Sequence, residues 1–152
     1  MKLKSILFLM LGFFCSLSFV ACDDDDDPAV HTDASVLVNG TFSGSIYDAS
    51  GNEKASDVVV TVTKFEEENT QAITVKIVSA TLNMDQEAVF NVAKAGNDRY
   101  TFGNGSAAAA RNTGGVIEGN NITIYTTLSS KYKFNATSSA KAYTIKGSKS
   151  AE

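Results

Sequence analysis

The chain has 152 residues and a formal net charge of −4, with one histidine, two cysteines and no tryptophan. Both cysteines, Cys15 and Cys22, lie close to the N-terminus, so the remainder of the chain has no thiol for a disulfide or a metal site. From Val36 onward 11 acidic residues balance 11 basic ones. A neutral domain lacks the basic surface that nucleic-acid binding needs, so we predict no nucleic-acid partner.

Residues 1–21 have the layout of a secretory signal peptide. Two lysines precede an apolar run over residues 5–20, which is shorter than the roughly 20 residues of a membrane-spanning helix. The sequence Phe19-Val20-Ala21-Cys22 at its end resembles a bacterial lipobox. The resemblance implies that Cys22 is lipidated on sulfur and becomes the first residue of the mature protein. The alternative is a soluble secreted protein that keeps Cys22 as a free thiol.

Five consecutive aspartates follow the cysteine: Asp23, Asp24, Asp25, Asp26 and Asp27. Because like charges repel and extend a chain, we predict that residues 22–35 form a flexible acidic tether. The acidic run also resembles the export signal that sends lipoproteins of the Bacteroides group to the outer leaflet of the outer membrane. That resemblance implies a lipid-anchored protein exposed at the cell surface, with the membrane as its partner through Cys22. A solvated spacer is the simpler interpretation of the same residues.

Residues 36–152 are predicted to form a single all-β domain. Apolar residues recur there with period two, and clusters of Gly, Asn, Asp and Ser interrupt them about every ten residues. A change of phase predicts a β-bulge near Ile77. Residues 107–110 are all alanine and predict a loop or a small-residue strand, with a short helix over one barrel mouth as the alternative. The predicted strands cover residues 36–47, 58–65, 73–82, 88–93, 100–102, 116–117, 122–125, 132–134 and 143–145.

Hairpins in sequence order predict an antiparallel up-and-down, or meander, β-barrel of about eight strands. The alternative is a β-sandwich, which usually needs Greek-key connections. The sequence from Val38 to Tyr47, with glycines at 40 and 44, resembles the first strand of calycin-like lipoproteins of the Bacteroides group. The resemblance implies a lipocalin-like barrel. Phe42 stands where true lipocalins carry a tryptophan.

The sequence offers no recognisable catalytic apparatus. Its one histidine, His31, lies in the predicted tether, where nothing would orient it as a general base. A glycosidase would need two carboxylates across a cleft. The candidate carboxylates are expected to be solvated at strand ends and turns; they are Asp57, Asp85, Glu87 and Glu118. We therefore predict a protein that is not an enzyme, with no catalytic residue, no cofactor and no metal site.

Two binding functions remain. The barrel is predicted to be an accessory or interaction module that docks a partner protein. The alternative is a lipocalin-like cavity for a small apolar ligand, since an eight-stranded barrel is just wide enough to hold one. Large inward residues would fill such a cavity, and the candidates are Phe42, Phe90, Phe102 and Phe134. The tyrosines are interpreted as core residues with hydroxyls at the rim, with lining of a ligand site as the alternative; they are Tyr47, Tyr100, Tyr125, Tyr132 and Tyr143.

Overall fold

The protein folds as a closed antiparallel barrel of eight strands. A computed structural model describes residues 33–67, 71–106 and 108–150. The strands pair in sequence order, and β1 also pairs with β8, which closes the barrel and confirms the predicted up-and-down meander over the sandwich. The strands are β1 (Gly40–Asp48), β2 (Glu53–Lys64), β3 (Ala72–Ser79), β4 (Met84–Lys94), β5 (Arg99–Gly103), β6 (Gly114–Glu118), β7 (Asn121–Leu128) and β8 (Lys141–Lys149).

Alternation along each strand separates the core from the outer surface. In β7, Ile122, Ile124 and Leu128 are buried, whereas Tyr125 between them is exposed. This period of two follows from the pleat, which points successive side chains to opposite faces. Thr126 is the polar inward residue of β7. Its hydroxyl lies 2.6 Å from the hydroxyl of Thr113, so each of these buried polar groups has a hydrogen-bond partner.

The chain enters the barrel through a short helix, α1 (Ala34–Leu37). Asp33 caps it by accepting hydrogen bonds from the Ser35 backbone N–H at 3.0 Å and the Ser35 hydroxyl at 2.7 Å. Ala34, Ser35 and Val38 are buried, so Ala34 and Ser35 pack on the barrel although the sequence placed them in the tether. The prediction of a strand beginning at residue 36 is wrong. No helix in the described part of the chain is long and apolar enough to cross a bilayer.

Two strand predictions in the middle of the chain need correction. β3 ends at Ser79 and pairs without interruption, so the bulge predicted near Ile77 is absent from it; residues 80–83 form a turn with Asn83 at φ 47°. The register shift instead lies in β1, between Gly44 and Tyr47. β4 begins at Met84, earlier than the predicted start at residue 88.

The β5–β6 and β7–β8 connections also differ from the predictions. Ala108–Ala110 form a short 3-10 helix with Ala110 fully buried, which agrees with the alternative of a short helix rather than with a loop or strand. Residues 132–134 make a single bridge between Phe134 and Leu128 instead of a strand. The Ser129 hydroxyl accepts from the backbone N–H groups of Lys131 and Lys133, which holds this segment in a turn.

Large side chains pack inside the barrel and against one of its ends. Phe42 and Phe90 are fully buried, and the Phe90 and Phe102 rings meet edge to face with centroids 5.6 Å apart. We call the end with α1 the entry end. At the opposite, far end, where β1–β2, β3–β4, β5–β6 and β7–β8 are connected, Leu82, Tyr132 and Phe134 pack against the core.

Candidate functional site

The five tyrosines fall into an inward and an outward group. Tyr100 and Tyr143 are each only 8 % exposed, and Tyr132 packs on Tyr143 with ring centroids 5.6 Å apart. Tyr47 and Tyr125 face outward, and Tyr125 is 57 % exposed, the most of any large apolar side chain among the described residues. The interpretation as core residues is therefore confirmed for Tyr100 and Tyr143 and wrong for Tyr47 and Tyr125.

The two outward tyrosines belong to one row that crosses five strands. Tyr125 on β7 pairs with Thr144 on β8, and Thr144 pairs with Tyr47 on β1. On its other side Tyr125 pairs with Gly114 on β6, whose neighbour on β5 is Gly103. We call this set the tyrosine row: Gly103, Gly114, Tyr125, Thr144 and Tyr47. The cross-strand neighbours of Tyr125 are glycine and threonine, which are small, in keeping with the high exposure of its side chain.

An open groove of about 510 Å³ runs between the two tyrosines. Tyr47 and Tyr125 form its walls, and Thr144 lies between them on the middle strand. The Lys146 ammonium lies 5.8 Å from the centre of the Tyr47 ring, a cation–π arrangement. The β1–β2 turn closes the groove at the far end through Asp48, Ala49 and Gly51.

Asp48 fixes the turn that closes the groove. Its carboxylate accepts hydrogen bonds from the Ser50 backbone N–H at 2.9 Å and the Asn52 backbone N–H at 3.0 Å, and it pairs with the Lys54 ammonium at 2.8 Å. Lys54, and after it the Asn52 N–H, lower the pKa of Asp48 well below its usual range. Asp48 is therefore a structural anion whose charge is already neutralised, which leaves Lys146 as the cation facing the groove.

Acid is expected to weaken the fold through this turn. A carboxyl group with a lowered pKa in the folded state stabilises the protein above its unfolded pKa, about 3.9 for aspartate, and loses that contribution as the pH falls further. Thermal unfolding followed by circular dichroism should therefore show a midpoint that drops below about pH 4. Asp48→Asn should flatten this drop, whereas Val59→Ala, on the outer face of β2, should keep it. An acid slope that Asp48→Asn leaves unchanged would contradict the assignment.

The structure does not gather the candidate carboxylates into a cleft. All four are exposed on the outer surface, and Glu118 lies at the entry end while Asp57 lies toward the far end. Asp57 accepts from the Ser79 hydroxyl at 2.7 Å and the Thr81 backbone N–H at 2.9 Å, so it holds the β3–β4 turn. Asp85 lies 3.6 Å from the Lys76 ammonium. Within the described residues, no three His, Cys, Asp or Glu side chains are grouped closely enough to hold a metal ion.

A second open groove, of about 690 Å³, lies at the entry end between the β4–β5 and β6–β7 turns. It is lined by turn residues, among them Asn97, Asp98, Arg99 and Glu118, and no aromatic side chain lines it. Opposite charges and asparagines at two hairpin turns are the usual solvated surface of a meander, so this groove is a weaker candidate than the tyrosine row.

The predicted sites in the leader and tether lie outside the described residues: Cys22, Asp23, Asp24, Asp25, Asp26 and Asp27, together with His31. Sequence reasoning missed the tyrosine row, although one signal was present. Because Ile122 and Ile124 point inward, strict alternation already places Tyr125 on the outer face. Comparison with protein-family models, with curated proteins and with solved structures finds no match to this chain.

Proposed function

We propose that the protein is a lipid-anchored cell-surface module that binds a partner protein through the outer face of a non-catalytic barrel. Its membrane attachment would be through Cys22 in the outer membrane, after export directed by Asp23 to Asp27. One observation carries the binding role: Tyr47 and Tyr125 stand outward around an open groove, while the other tyrosines of the described residues lie in the core or pack against it. Exposed tyrosines are enriched where proteins bind one another, because each has an apolar body and a polar tip.

The filled interior supports this proposal over the small-ligand alternative. Phe42 and Phe90 are inaccessible to solvent inside the barrel, and Phe102 packs on Phe90. A lipocalin-like ligand site needs small inward residues that leave room, whereas these positions carry some of the largest apolar side chains. The meander closure agrees with the architecture implied by the resemblance to calycin-like lipoproteins, and membership of that family is part of the proposal.

The chain joins the barrel at the end opposite the groove. Cys22 precedes Asp33 by eleven residues, a distance that an extended chain spans over at most about 40 Å. Asp33 joins the barrel at the entry end, where it pairs with Lys64 at 3.2 Å. The groove lies near the far end of the barrel, away from the point at which the chain joins it.

Photocrosslinking on intact cells tests the binding role. A photoreactive residue at position 125 is expected to give a discrete protein adduct, because that side chain lies in the proposed contact. The same residue at position 59, which is outward on β2 and 39 % exposed, is the matched control and should give none. Equal labelling from both positions, or from neither, would contradict an interaction module that uses this face.

A further inference from the structure

The open groove between Tyr47 and Tyr125, which we call the tyrosine groove, carries one uncompensated charge. Two charged side chains line it, Asp48 and Lys146. The Asp48 carboxylate already accepts from two backbone N–H groups and pairs with the Lys54 ammonium. Lys146 is exposed beside the Tyr47 ring and forms no ion pair within the described residues. The free charge of the groove is therefore positive.

Three hydroxyl groups line the same groove and have no hydrogen-bond partner within the described residues. They belong to Tyr47, Tyr125 and Thr144. Each hydroxyl can donate one hydrogen bond, and the Lys146 ammonium can donate three. An ionised carboxylate only accepts hydrogen bonds, and those it accepts from a charged donor are shorter and stronger than neutral ones. The unpaired groups of the groove therefore suit an anion with acceptor oxygens.

The charges of the barrel are unevenly distributed along the chain. Residues 36–120 contain ten acidic and six basic side chains, whereas residues 121–150 contain five lysines and no acidic side chain. The latter range holds β7, β8 and their connection. Besides Lys146, three of its lysines lie at the far end of the barrel, the end near which the groove lies: Lys131, Lys133 and Lys141. A domain that is neutral as a whole thus has a positive side, and the groove is on it.

The lysines of this side also differ in their partners from lysines elsewhere. Three lysines on β2 and β3 each pair with an aspartate, at 2.8, 3.2 and 3.6 Å. None of the five on β7, β8 and their connection has an acidic partner within the described residues. From this unpaired charge and the unpaired donors of the groove, and resting on the proposed function, we infer that the tyrosine groove binds an acidic segment of the partner protein, with a carboxylate on Lys146.

The shape of the groove fits a segment of chain rather than an isolated anion. Its volume of about 510 Å³ lies in the range of pockets that hold a drug-sized ligand, which is larger than one carboxylate group. The apolar ring bodies of Tyr47 and Tyr125 can contact the residues beside the carboxylate. Each of the eight strands has a neighbour on both sides, so the segment finds no sheet edge to which it could add as a strand. Recognition must then rest on side-chain contacts.

Titration of the full-length protein with synthetic peptides tests the inference. The first peptide is a short one in which glutamate alternates with glycine and serine. The control peptide has glutamine in place of every glutamate, which keeps the length and removes the charge. The glutamate peptide should bind saturably at low salt, and the glutamine peptide should not. Because the contact is exposed, binding should weaken as the ionic strength rises above about 0.1 M, where charges more than about 10 Å apart are largely screened.

Variants at the groove locate the carboxylate. Lys146→Gln should weaken binding of the glutamate peptide about fivefold, the upper part of the range for an exposed ion pair, and Lys146→Arg should keep it. Tyr125→Phe removes only a hydroxyl and should weaken binding at least about twofold, as expected for the loss of one hydrogen bond. Lys94→Gln removes the same charge at the entry end of β4 and should bind like the parent protein. All three side chains are exposed, so the variants should unfold like the parent.

Three results would overturn the inference: equal binding of the two peptides, binding of neither, or binding that Lys146→Gln and Lys94→Gln weaken alike. Binding to vesicles of an anionic phospholipid in place of the peptide, lost in Lys146→Gln, would also overturn it, because the occupant would then be a membrane. Self-association in place of peptide binding, lost when Asp23 to Asp27 are replaced by asparagine, would make the occupant a second copy of the chain and overturn it too.

The photocrosslinking experiment separates this inference from the proposed function. A protein adduct from position 125 without binding of the glutamate peptide would leave the interaction module standing and reject only the acidic occupant. Absence of both the adduct and the peptide binding would reject the interaction module as well.

Discussion

Gly44→Ala is expected to destabilise the protein by about 3 kcal/mol, the upper part of the usual range for overpacking, because it forces apart the strands that close the barrel. A Cβ at position 44 would lie 1.9 Å from the Lys146 carbonyl oxygen and 2.5 Å from the Gly147 Cα, and both belong to the backbone of β8. A flexible side chain could move away, but a backbone held in a ladder cannot. The loss is a large share of the 5–15 kcal/mol that stabilises a typical domain.

Denaturant unfolding with a matched glycine variant measures this effect. Gly103→Ala places the same methyl group where the nearest atoms are 4.0 Å away, so it should keep or raise the free energy of unfolding, by up to about 1 kcal/mol. Gly44→Ala should lower the midpoint strongly in the same assay. Similar midpoints for the two variants would mean that β1 and β8 do not approach as closely at Gly44 as the structure shows.

Cys22→Ser is expected to abolish fatty-acid labelling completely. The lipobox interpretation makes the Cys22 sulfur the site of acylation, and a serine there cannot form the thioether. Since each buried CH₂ contributes about 0.8 kcal/mol and stable anchoring takes two or more chains, attachment should be lost together with the label. Metabolic incorporation of a fatty-acid analogue measures the label, and washing of isolated membranes at high salt measures the attachment.

Cys15→Ser is the matched control for this variant, because it replaces the only other cysteine of the chain. It lies in the apolar run over residues 5–20, which the prediction assigns to the leader, and should leave the label unchanged. Label that survives in Cys22→Ser would end the lipoprotein assignment. A mature protein that carries an unmodified Cys22, reactive toward a thiol reagent, would support the soluble secreted alternative.

β7 illustrates which features of the fold and of the candidate site can be predicted from the sequence. Alternation of Ile122, Ile124 and Leu128 predicts both the strand and its inward face, because burial on one side of a pleated strand imposes period two. The same pattern places Tyr125 outward. It cannot show that Gly103, Gly114 and Thr144 lie beside that tyrosine, because those residues come from three other strands and their register is set by the whole barrel.

Two of the strand predictions were wrong for identifiable physical reasons. Val36 and Val38 fit a strand pattern, but so short a window cannot separate helix from strand, and the Asp33 cap together with burial of Ala34 and Val38 decides for a helical turn. Tyr132 was expected in a strand; it has φ 53° because Ser129 holds the preceding turn. Competition of a serine hydroxyl for backbone N–H groups is a local effect that the apolar pattern does not record.

The course of β1 has a mechanical consequence. The strand runs from Gly40, next to α1, to Asp48, beside the groove. Tension between those two ends lies along the strand and at right angles to its hydrogen bonds with β2 and β8. The bonds of both ladders must then yield together in shear, whereas pulling β1 sideways would unzip them one at a time. A pulling force on a partner bound at the groove would therefore be transmitted along β1 to the residues that precede Asp33. Along that direction the barrel has its greatest mechanical resistance to unfolding.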